Sequence, residues 1–515
     1  MNYQYTIKQK NMSRIKSLLL IGFIIIAQYA NSQQVLTLED AMKIALANSP
    51  DIKQSRITME QNREYLNAQL AMLKSHFSLN VSPLEYSNSE QFSDFYSQWY
   101  SSESTVSKGG LVISQPVKWT DGTLSLRNDF QFQSDVTEKF DNSDPLNITK
   151  KTSTYDGFNN NLYLSYNQPL FTYNKTKLNL KRHELALENS TLAYSIQMLN
   201  MERYVTQAFY TIYQKQMAVK IAQEEFENQK VSLEIIRSKV SGGLSAQEEL
   251  LQADLNYATS KSTLDNSMVD LENAKDEFKK LIGISLESEI EISTDIQYKP
   301  VLVDLEKAIQ NGLTQRLELT QRKIDLNNAE FDLVETSATN EFKGNLDLSV
   351  GIMGNNENFV DIYDKPTRSP QIGVTFSIPI FDWGERKARI RAAELSVESR
   401  ELDMKDQEID IIINIRKTNR NLINLTNQIL IAEQNEKNAQ LTYDINLERY
   451  KNGDLTSIDL ERFQTQLSQK KMDRANALIN YKLELLNMKI QSLWDFENNT
   501  SFVPQELQNN ISTKK

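Results

Sequence analysis

The sequence predicts a mainly α-helical fold with a small β part, in which one structural unit occurs twice along the chain. The first observation behind this prediction is a duplication: residues 303–324 can be laid on residues 36–57 without a gap, at an offset of 267 residues. A second gapless correspondence pairs residues 378–381 with residues 168–171 at an offset of 210. The two offsets differ by 57, so the first copy must contain an insertion of 57 residues. Repetition of so long a unit dictates a tandem architecture.

Composition and periodicity are the other two observations. Only 39% of the residues are apolar, and the 515 residues include 15 Gly and 10 Pro, which favours long uninterrupted helices over a compact domain with many turns. Apolar residues recur at spacings of three and four, as expected for packing seams along coiled-coil helices. Two such seams are Leu264, Met268, Leu271, Ala274, Phe278 and Leu281, and Met472, Ala475, Ile479, Leu483, Leu486 and Ile490.

The N-terminal 32 residues have the pattern of a secretory signal peptide. Basic residues precede an apolar run at 18–27, and a small-x-small cleavage site ends at Ser32, whether translation starts at Met1 or at Met12. No later run of about 20 apolar residues occurs, so we expect no transmembrane helix. Because the chain has no Cys, we expect neither disulfides nor a lipid anchor.

Charge and residue inventory narrow the functional classes. Cleavage of the leader removes four positive and no negative charges and changes the net charge from −11 to −15, which argues against nucleic acid as a partner. With two His and no Cys, neither a usual zinc set nor a Cys/His pair can be assembled, and no phosphate-binding loop occurs. We therefore expect no enzymatic activity, no cofactor and no bound metal.

Each copy has, in order, the pattern of a helix, a strand, a loop, a strand, a long helix, a turn and a second long helix. On the predicted strands apolar and polar residues alternate, for example at Leu346, Leu348 and Val350. The first repeat is predicted at 33–299; it has a strand pair that carries an extended loop at 85–160, a helical hairpin at 171–283 and a connector at 284–299. The second repeat is predicted at 300–495, with a strand pair at 343–380 and a helical hairpin at 382–492. A polar, disordered tail is predicted at 496–515.

The strands must belong to something larger than one subunit. Short strands with one apolar face leave unpaired backbone groups at their edges and are not stable alone. Strands pooled from several subunits can close into a barrel, and in lipid closure is compulsory. Together with the signal peptide, this reasoning indicates an outer membrane. Strand-to-helix junctions are expected at Pro169 and Phe171 and at Pro379 and Phe381.

The insertion is peculiar to the first copy. It is rich in Ser, Asp, Asn and Tyr, and Thr120-Asp121-Gly122 between two alternating stretches is a hairpin signal. The predicted strand count is therefore four, or six if this hairpin joins the sheet. We expect a solvated surface loop; extension of the barrel upward and a cap over its mouth are the alternatives.

Six stretches, three in each copy, resemble the TolC family of outer-membrane efflux proteins. They are LEDAMKIALANSPDI, YNQPLF and GGLSAQEELLQAD in the first copy, and LEKAIQNGLTQRLEL, SIPIFDWGERKARIRAAE and YKNGDLTSIDLERFQ in the second. The resemblance covers about residues 36–490. It implies a homotrimer whose protomers give four strands each to a twelve-stranded barrel, continued by an α-helical tunnel through the periplasm. It also implies docking to a periplasmic adaptor (membrane fusion) protein and to an inner-membrane RND or ABC transporter.

The two helix turns are the candidate site that the resemblance implies, at the periplasmic tip of the tunnel. The family pattern G-x-x-[ST]-x-x-[DE]-L is complete in the second copy, whereas Ala246 replaces the hydroxyl residue in the first. The implied pore-constriction or gating residues are Asp459, Glu249 and Arg462. The implied adaptor-docking residues are Gly243, Leu244, Gly453, Leu455, Thr456, Ser457 and Leu460.

A structural interpretation of these residues stands beside the functional one. Gly243 and Gly453 suit helix termination, and Glu249 and Asp459 suit the N-termini of the helices that follow. Three copies of each carboxylate around a narrow pore would instead attract cations. Leu455 occupies the position of a lock-forming arginine in the best-known family member, so the details of gating do not transfer.

The predicted function is a passive outer-membrane channel of a tripartite export system that carries small molecules. One alternative is the outer-membrane channel of a type I protein secretion system. The other is a periplasmic coiled-coil adaptor, which predicts a single helical hairpin attached to small β domains. The twofold duplication of strands and helices argues against the adaptor.

Overall fold

The computed structural model describes residues 34–141, 149–293 and 298–503. The signal peptide predicted at 1–32 lies outside these ranges. The first repeat comprises β1 (Gln34–Leu36), α1 (Leu38–Asn48), α2 (Pro50–Ala71), β2 (His76–Ser93), β3 (Gln98–Val117), β4 (Gly122–Asp141), β5 (Thr149–Leu170), α3 (Lys175–Ser241), α4 (Gln247–Ile282) and β6 (Ile290–Ile292).

The second repeat follows the same order with fewer strands. It comprises α5 (Leu305–Gln315), α6 (Leu317–Ser337), β7 (Lys343–Asn356), a 3-10 turn (Phe359–Asp361), β8 (Thr367–Arg368), β9 (Gln371–Ser377), α7 (Glu385–Asn452), α8 (Ser457–Ser492), β10 (Trp494–Asp495) and β11 (Thr500–Ser501). Equivalent helices have nearly equal lengths: α3 and α7 have 67 and 68 residues, and α4 and α8 have 36 each. The predicted fold class is therefore confirmed.

Local sequence signals account for the helix ends. Thr37 caps α1 by accepting a hydrogen bond from the backbone N–H of Asp40, at 3.1 Å. Asp304, its equivalent at the offset of 267, caps α5 in the same way through Lys307, also at 3.1 Å. Each cap satisfies a backbone donor that the first helical turn leaves without a partner. No helix in the described ranges combines the length and apolar character that a membrane span requires.

The chain divides into two compact units, each of which contains parts of both repeats. Unit 1 takes its described residues from 34–57, 192–319 and 407–503. One of its core clusters lies between α5, α7 and α8, where Ile411, Ile415, Tyr481 and Met488 are almost completely buried. The buried hydroxyl of Tyr481 accepts a hydrogen bond from the Val301 backbone N–H at 2.9 Å, so the polar atom has a partner inside the core.

A glycine closes α4 in unit 1 because no other residue fits. Gly283 lies in the left-handed region, at φ +76°, and its backbone N–H donates to the Lys279 carbonyl at 2.9 Å. A Cβ at this position would lie 2.5 Å from the carbonyl oxygen of Asn48. The αL helix cap and the close approach of α1 both require the missing side chain.

Unit 2 takes its described residues from 58–191 and 320–406 and contains an antiparallel sheet. The strand order is β2-β3-β4-β5-β7, and β8 and β9 pair one after the other with the same edge of β7. The sheet is thus six strands wide, which is the larger of the two predicted strand counts. Its edges in the described chain are β2 on one side and β8 with β9 on the other.

The two faces of the sheet differ in polarity. One rung of paired residues on the first face consists of Phe77, Ile113, Leu126, Leu164 and Val350. The adjacent rung, on the opposite face, consists of His76, Ser114, Ser125, Ser165 and Ser349. Because successive side chains in a strand point to opposite sides, one face of the sheet is apolar and the other polar. We call them the apolar face and the polar face.

The insertion does not form the extended loop that we expected at 85–160. It forms strands: β3 and β4 lie between β2 and β5 in the sheet, and the predicted hairpin signal at Thr120-Asp121-Gly122 is the end of the turn between β3 and β4. The loop prediction is wrong because polar residues such as Ser114 and Ser125 occupy polar-face positions, so a polar composition is compatible with strand pairing. The tip of the next hairpin, 142–148, lies outside the described residues.

The disordered tail predicted at 496–515 is wrong for residues 496–503. β10 and β11 pair there, and the Asp495 carboxylate accepts hydrogen bonds from the backbone N–H groups of Glu497 and Asn498 at 2.8 and 3.2 Å. Phe496 also packs against the core of unit 1. One capping carboxylate and one aromatic ring therefore order a polar segment. The remaining residues, 504–515, lie outside the described ranges.

Candidate functional site

The two turns between the long helices, both in unit 1, end α3 and α7 in the same way. Gly243 and Gly453 adopt φ values of +72° and +89°. The next residue in each turn donates a backbone hydrogen bond five residues back, from Leu244 to Lys239 at 2.8 Å and from Asp454 to Arg449 at 2.9 Å. These are Schellman caps, in which a left-handed glycine allows the chain to satisfy the last carbonyls of the helix.

The starts of the two following helices differ. Thr456 caps α8: its hydroxyl accepts from the Asp459 backbone N–H at 3.2 Å and donates to the Asp459 carboxylate at 2.6 Å. Ala246 has no side chain that can cap α4, and the Ser245 hydroxyl donates to the Glu249 carboxylate there instead. Each acidic residue is thus held by a hydroxyl group of its own turn. The capping interpretation of Asp459 describes a real contact, and the carboxylate is also exposed.

The two turns line one cleft of about 530 Å³, so residues from both repeats meet at the tips. Glu249 and Asp459 both lie on its wall, together with Leu244, Ser245, Gly453, Leu455, Thr456 and Ser457. The sequence alone did not predict that these two carboxylates share a cleft within one protomer. Asp454 and the ammonium groups of Lys239 and Lys451 line the same cleft, so three carboxylates face two positive charges and the net charge of −1 favours cations only weakly.

Tyr450, which also lines this cleft, connects the two repeats. Its side chain is only 3% exposed, its hydroxyl lies 3.2 Å from the Ser232 hydroxyl, and the Lys239 ammonium lies 5.1 Å from its ring centroid. Burial raises the pKa of Tyr450; the Glu249 carboxylate also raises it, while the hydrogen bond with Ser232 lowers it. A second polar contact between the repeats joins Asn256 to Glu461 at 2.5 Å. The tips are therefore fastened to each other by buried and partly buried polar groups.

The other predicted tip residues separate into buried and exposed groups. Leu460 and Ser457 are buried, and Leu460 packs with Tyr450 and Leu467, with Leu455 against the same cluster. These positions support the tip from inside and cannot dock a partner without a rearrangement. Leu244, by contrast, is 82% exposed. Arg462 is exposed on α8 and does not line the cleft.

The predicted strand-to-helix junctions lie in unit 2 and differ slightly from the expectation. Pro169 does not end β5, because the pairing with β7 continues to Leu170. Phe171 follows with φ +60°, and its ring lies 5.3 Å from that of Phe342. In the second repeat Phe381 is 71% exposed and its ring contacts Trp383 at 4.7 Å. The helices begin only at residues 175 and 385.

Two carboxyl groups with structural roles were not predicted from the sequence. Asp121, in the turn between β3 and β4, accepts from the backbone N–H groups of Lys175 and Thr176 at 3.1 and 2.8 Å and so caps α3 from 54 residues away. Glu202 is a partly buried carboxyl group on α3, and its desolvation raises its pKa to about 7. Neither has a local signal, because both depend on contacts distant in sequence. In the part of the chain that the structure describes, no cluster of His, Asp and Glu is placed to hold a metal ion.

Residues 308–489, in the second repeat, match the family model of the outer membrane efflux protein. No curated protein sequence is significantly similar to the chain. Among solved structures, the CmeC outer membrane channel of Campylobacter jejuni matches with a TM-score of 0.67 at 16% identity, over 93% of this chain and 89% of that one.

Two further solved structures have similar scores. The outer membrane protein VceC of Vibrio cholerae matches with a TM-score of 0.63 at 13% identity, over 88% of this chain and 94% of that one. The open-state MtrE outer membrane channel of Neisseria gonorrhoeae matches with a TM-score of 0.63 at 13% identity, over 90% of each chain. The chain therefore carries an outer membrane efflux protein domain in its second repeat, and its fold is the one that these outer-membrane channels share.

Proposed function

We propose that this chain is the outer-membrane channel of a tripartite export system, in which three copies form a passive duct for small molecules. The observation that carries the proposal is the sheet with one apolar and one polar face. A sheet of this kind is stable where lipid covers one side and water the other. The family match over residues 308–489 and the shared channel fold support the same function.

The height of the apolar face fits a membrane. Aromatic rings cluster at two levels: Phe132 and Phe158 lie 4.9 Å apart at one level, and Phe342 and Phe376 lie 5.6 Å apart at the other. On β5, the rungs of these levels are at Phe158 and Leu170, twelve residues apart. At about 3.3 Å per residue and a tilt of about 40°, this separation gives roughly 30 Å, which agrees with an apolar band flanked by aromatic girdles.

The open edges of the sheet support assembly. β2 and β9 present backbone N–H and C=O groups that lipid cannot satisfy, so each edge requires a strand from another copy. Closure by three copies is the assembly that the family resemblance implies. A ring of this kind has its polar face inside and forms a water-filled passage. Energy for export would come from an inner-membrane RND or ABC transporter through a periplasmic adaptor.

The test is to produce the chain with its leader, extract it from outer membranes with detergent, and measure its mass and its conductance in planar lipid bilayers. We expect a particle of three protomers that forms discrete ion-conducting channels. A monomer that stays dissolved in buffer without detergent and conducts no ions would overturn the proposal. That outcome would favour the coiled-coil adaptor instead.

We further propose that the tip cleft contributes a cation-attracting ring to the assembled duct. Asp459 and Glu249 would each occur three times around the passage, and exposed Leu244 would contact the adaptor. In water, an ion about 6 Å from one carboxylate gains about 0.7 kcal/mol, so three carboxylates together supply roughly 2 kcal/mol. Gly243 and Gly453 have helix-terminating geometry in this proposal, which is compatible with a position at the constriction.

Two variants separate pore charge from helix capping. Asp459→Asn removes the charge but keeps an oxygen that can accept from the Thr456 hydroxyl, so we expect a lower preference for cations at unchanged stability. Thr456→Ala keeps the charge and removes the cap, so we expect unchanged ion preference and a stability loss of about 1 kcal/mol. Reversal potentials in a salt gradient measure the preference. Identical values for wild type and Asp459→Asn would eliminate a constriction role for this residue.

A further inference from the structure

The inserted strands carry the same two-faced pattern as the rest of the sheet. On β3 and β4, Leu111, Ile113, Leu124 and Leu126 lie on the apolar face. Ile113 and Leu126 share a rung with Phe77 and Leu164. Leu111 pairs with Leu79 of β2 and Leu124 with Tyr166 of β5, while their partners within the insertion are Asn128 and Gln115. The apolar face therefore continues across the insertion at the same level. A cap over the mouth or a surface loop has no reason to preserve this register.

The polar face continues across the insertion as well. The rung that contains Ser78 runs through Val112 and Arg127 to Tyr163, and the Arg127 guanidinium lies 5.9 Å from the Tyr163 ring. A charged residue of the insertion thus lies on the side that the proposed duct turns toward water. Between the two aromatic levels, the apolar-face residues of β2, β3, β4, β5, β7 and β9 include none with a charge, and Arg368 of β8, opposite Ile352, is the charged residue on that face.

The second repeat shows what the strand pair looks like without an insertion. There β7 pairs directly with β9. β7 begins at Lys343 and β2 at His76, which are equivalent at the offset of 267, so β2 corresponds to β7 and β5 to β9. In the first repeat, however, β2 and β5 are not neighbours, because β3 and β4 separate them in the sheet. The insertion has widened the sheet by two strand positions.

The turn between the inserted strands is anchored at the level where α3 begins. Asp121 caps the first turn of α3, as described above, and the Asn174 amide donates to the Lys118 and Trp119 carbonyls at 2.8 and 3.1 Å. The Gln168 amide also donates to the Thr120 carbonyl at 2.6 Å. Three separate contacts hold this turn at the strand-to-helix junction. The inserted hairpin is therefore built into the wall at its base and along both of its sides.

We propose that the inserted strands β3 and β4 span the membrane and belong to the lipid-facing wall of the barrel. The assembled barrel then has eighteen strands instead of twelve. This proposal rests on the proposed function and its three copies, each of which would contribute six strand positions. The diameter of a barrel grows roughly linearly with strand number, so the exit would be about 1.5-fold wider than that of a twelve-stranded barrel. Barrels of 16–18 strands enclose an open aqueous channel. The outer exit then accommodates bulkier hydrophilic substrates than a twelve-stranded barrel would.

The absence of Cys makes single-cysteine labelling a clean test. Spin labels are placed at Leu126 and Ser125 on inserted β4, and at their rung partners Leu164 and Ser165 on β5 as matched controls. The labelled channels are reconstituted into phosphatidylcholine vesicles, and power saturation measures collisions with oxygen, which partitions into lipid, and with a water-soluble nickel chelate. We expect the two Leu positions to favour oxygen and the two Ser positions to favour nickel.

The outcomes separate the two proposals. If Leu164 and Ser165 alternate while Leu126 and Ser125 both collide with nickel, the hairpin lies in water and the eighteen-strand proposal is wrong, with the channel itself intact. If Leu164 and Ser165 do not alternate, the proposed membrane sheet fails, and the wider barrel fails with it.

Disulfide formation supplies a second readout. The pair Ser78→Cys and Val112→Cys joins β2 to β3 and should oxidise, because paired residues of antiparallel strands have Cα atoms about 4.5–5.5 Å apart. The pair Ser78→Cys and Tyr163→Cys should not, because three strand spacings of about 4.8 Å separate these positions. A disulfide in the Ser78→Cys and Tyr163→Cys variant, and none in the Ser78→Cys and Val112→Cys variant, would mean that β2 pairs with β5 in the assembled channel. The inserted strands would then lie outside the barrel wall.

Discussion

Glu202 provides a sharp test of the packing in unit 1. This carboxyl group is partly buried on α3, and its desolvation, opposed by Lys489 and reinforced by Asp495, raises its pKa from 4.5 to about 7. Lys489 does not keep Glu202 ionised because its ammonium already pairs with Asp495 at 3.0 Å and with Glu497 at 3.2 Å. The substitution Glu202→Gln replaces the group with a neutral side chain of the same shape.

The direction and size of the effect follow from the raised pKa. The folded protein holds the Glu202 proton more tightly than the unfolded chain, so the protonated carboxyl stabilises the fold at pH values below about 4.5, the unfolded pKa. That contribution is lost as the pH rises through about 7, the folded pKa. A difference of about 2.5 pKa units corresponds to roughly 3 kcal/mol per protomer, most of which is lost by pH 7.

The assay compares unfolding free energies of wild type and Glu202→Gln in detergent, by guanidinium chloride titration between pH 4 and 8. We expect the stability of the variant relative to wild type to rise by about 3 kcal/mol over this interval. The substitution Glu234→Gln, at an exposed position on the same helix, measures the effect of removing a surface charge. A constant difference between wild type and Glu202→Gln at all pH values would refute the partly buried, protonated carboxyl.

Two further predictions concern positions where distant segments meet. Gly283→Ala should lower the unfolding free energy by about 2 kcal/mol or more, because it adds the strain of a left-handed Ala to a Cβ contact of 2.5 Å with Asn48. The control Gly242→Ala, whose Cβ would meet its nearest atom at 3.5 Å, should change the unfolding free energy little in the same titration. Asp121→Ala should lower the unfolding free energy by about 2 kcal/mol, because the helix cap is lost and Ala is strained at a φ of +64°. Asp121→Asn keeps an acceptor and tolerates that φ, so its unfolding free energy should stay within about 0.5 kcal/mol of wild type. Equal melting temperatures of the Ala and Asn variants would contradict the capping role.

Helix lengths, helix ends and the tip turns could be predicted because their signals are local. Thr37 and Asp304 are capping residues wherever a helix follows them, and Gly243 and Gly453 end helices by their own conformational freedom. The alternation at Leu346, Leu348 and Val350 likewise predicted a strand without reference to its neighbours. For this reason the sequence predicted the order of the long helices and of the strand pair that the two repeats share.

The candidate site could be predicted only in part. The turns were found from the glycine and acid pattern, but the cleft that joins Glu249 to Asp459 depends on two hairpins meeting. The contact between Ser232 and Tyr450 also depends on this meeting, because these two residues are 218 positions apart in the sequence.

Sequence alone thus established the tandem repeat, the long helices and their turns, since each depends on contacts within a few residues. The tertiary fold decided whether the insertion became loop or sheet, because Ser, Thr and Asn on β3 and β4 are compatible with either. Pairing with β2 and β5, and the cap that Asp121 places on α3, selected the sheet. The width of the proposed barrel, and with it the size of the exit, depends on these long-range hydrogen bonds.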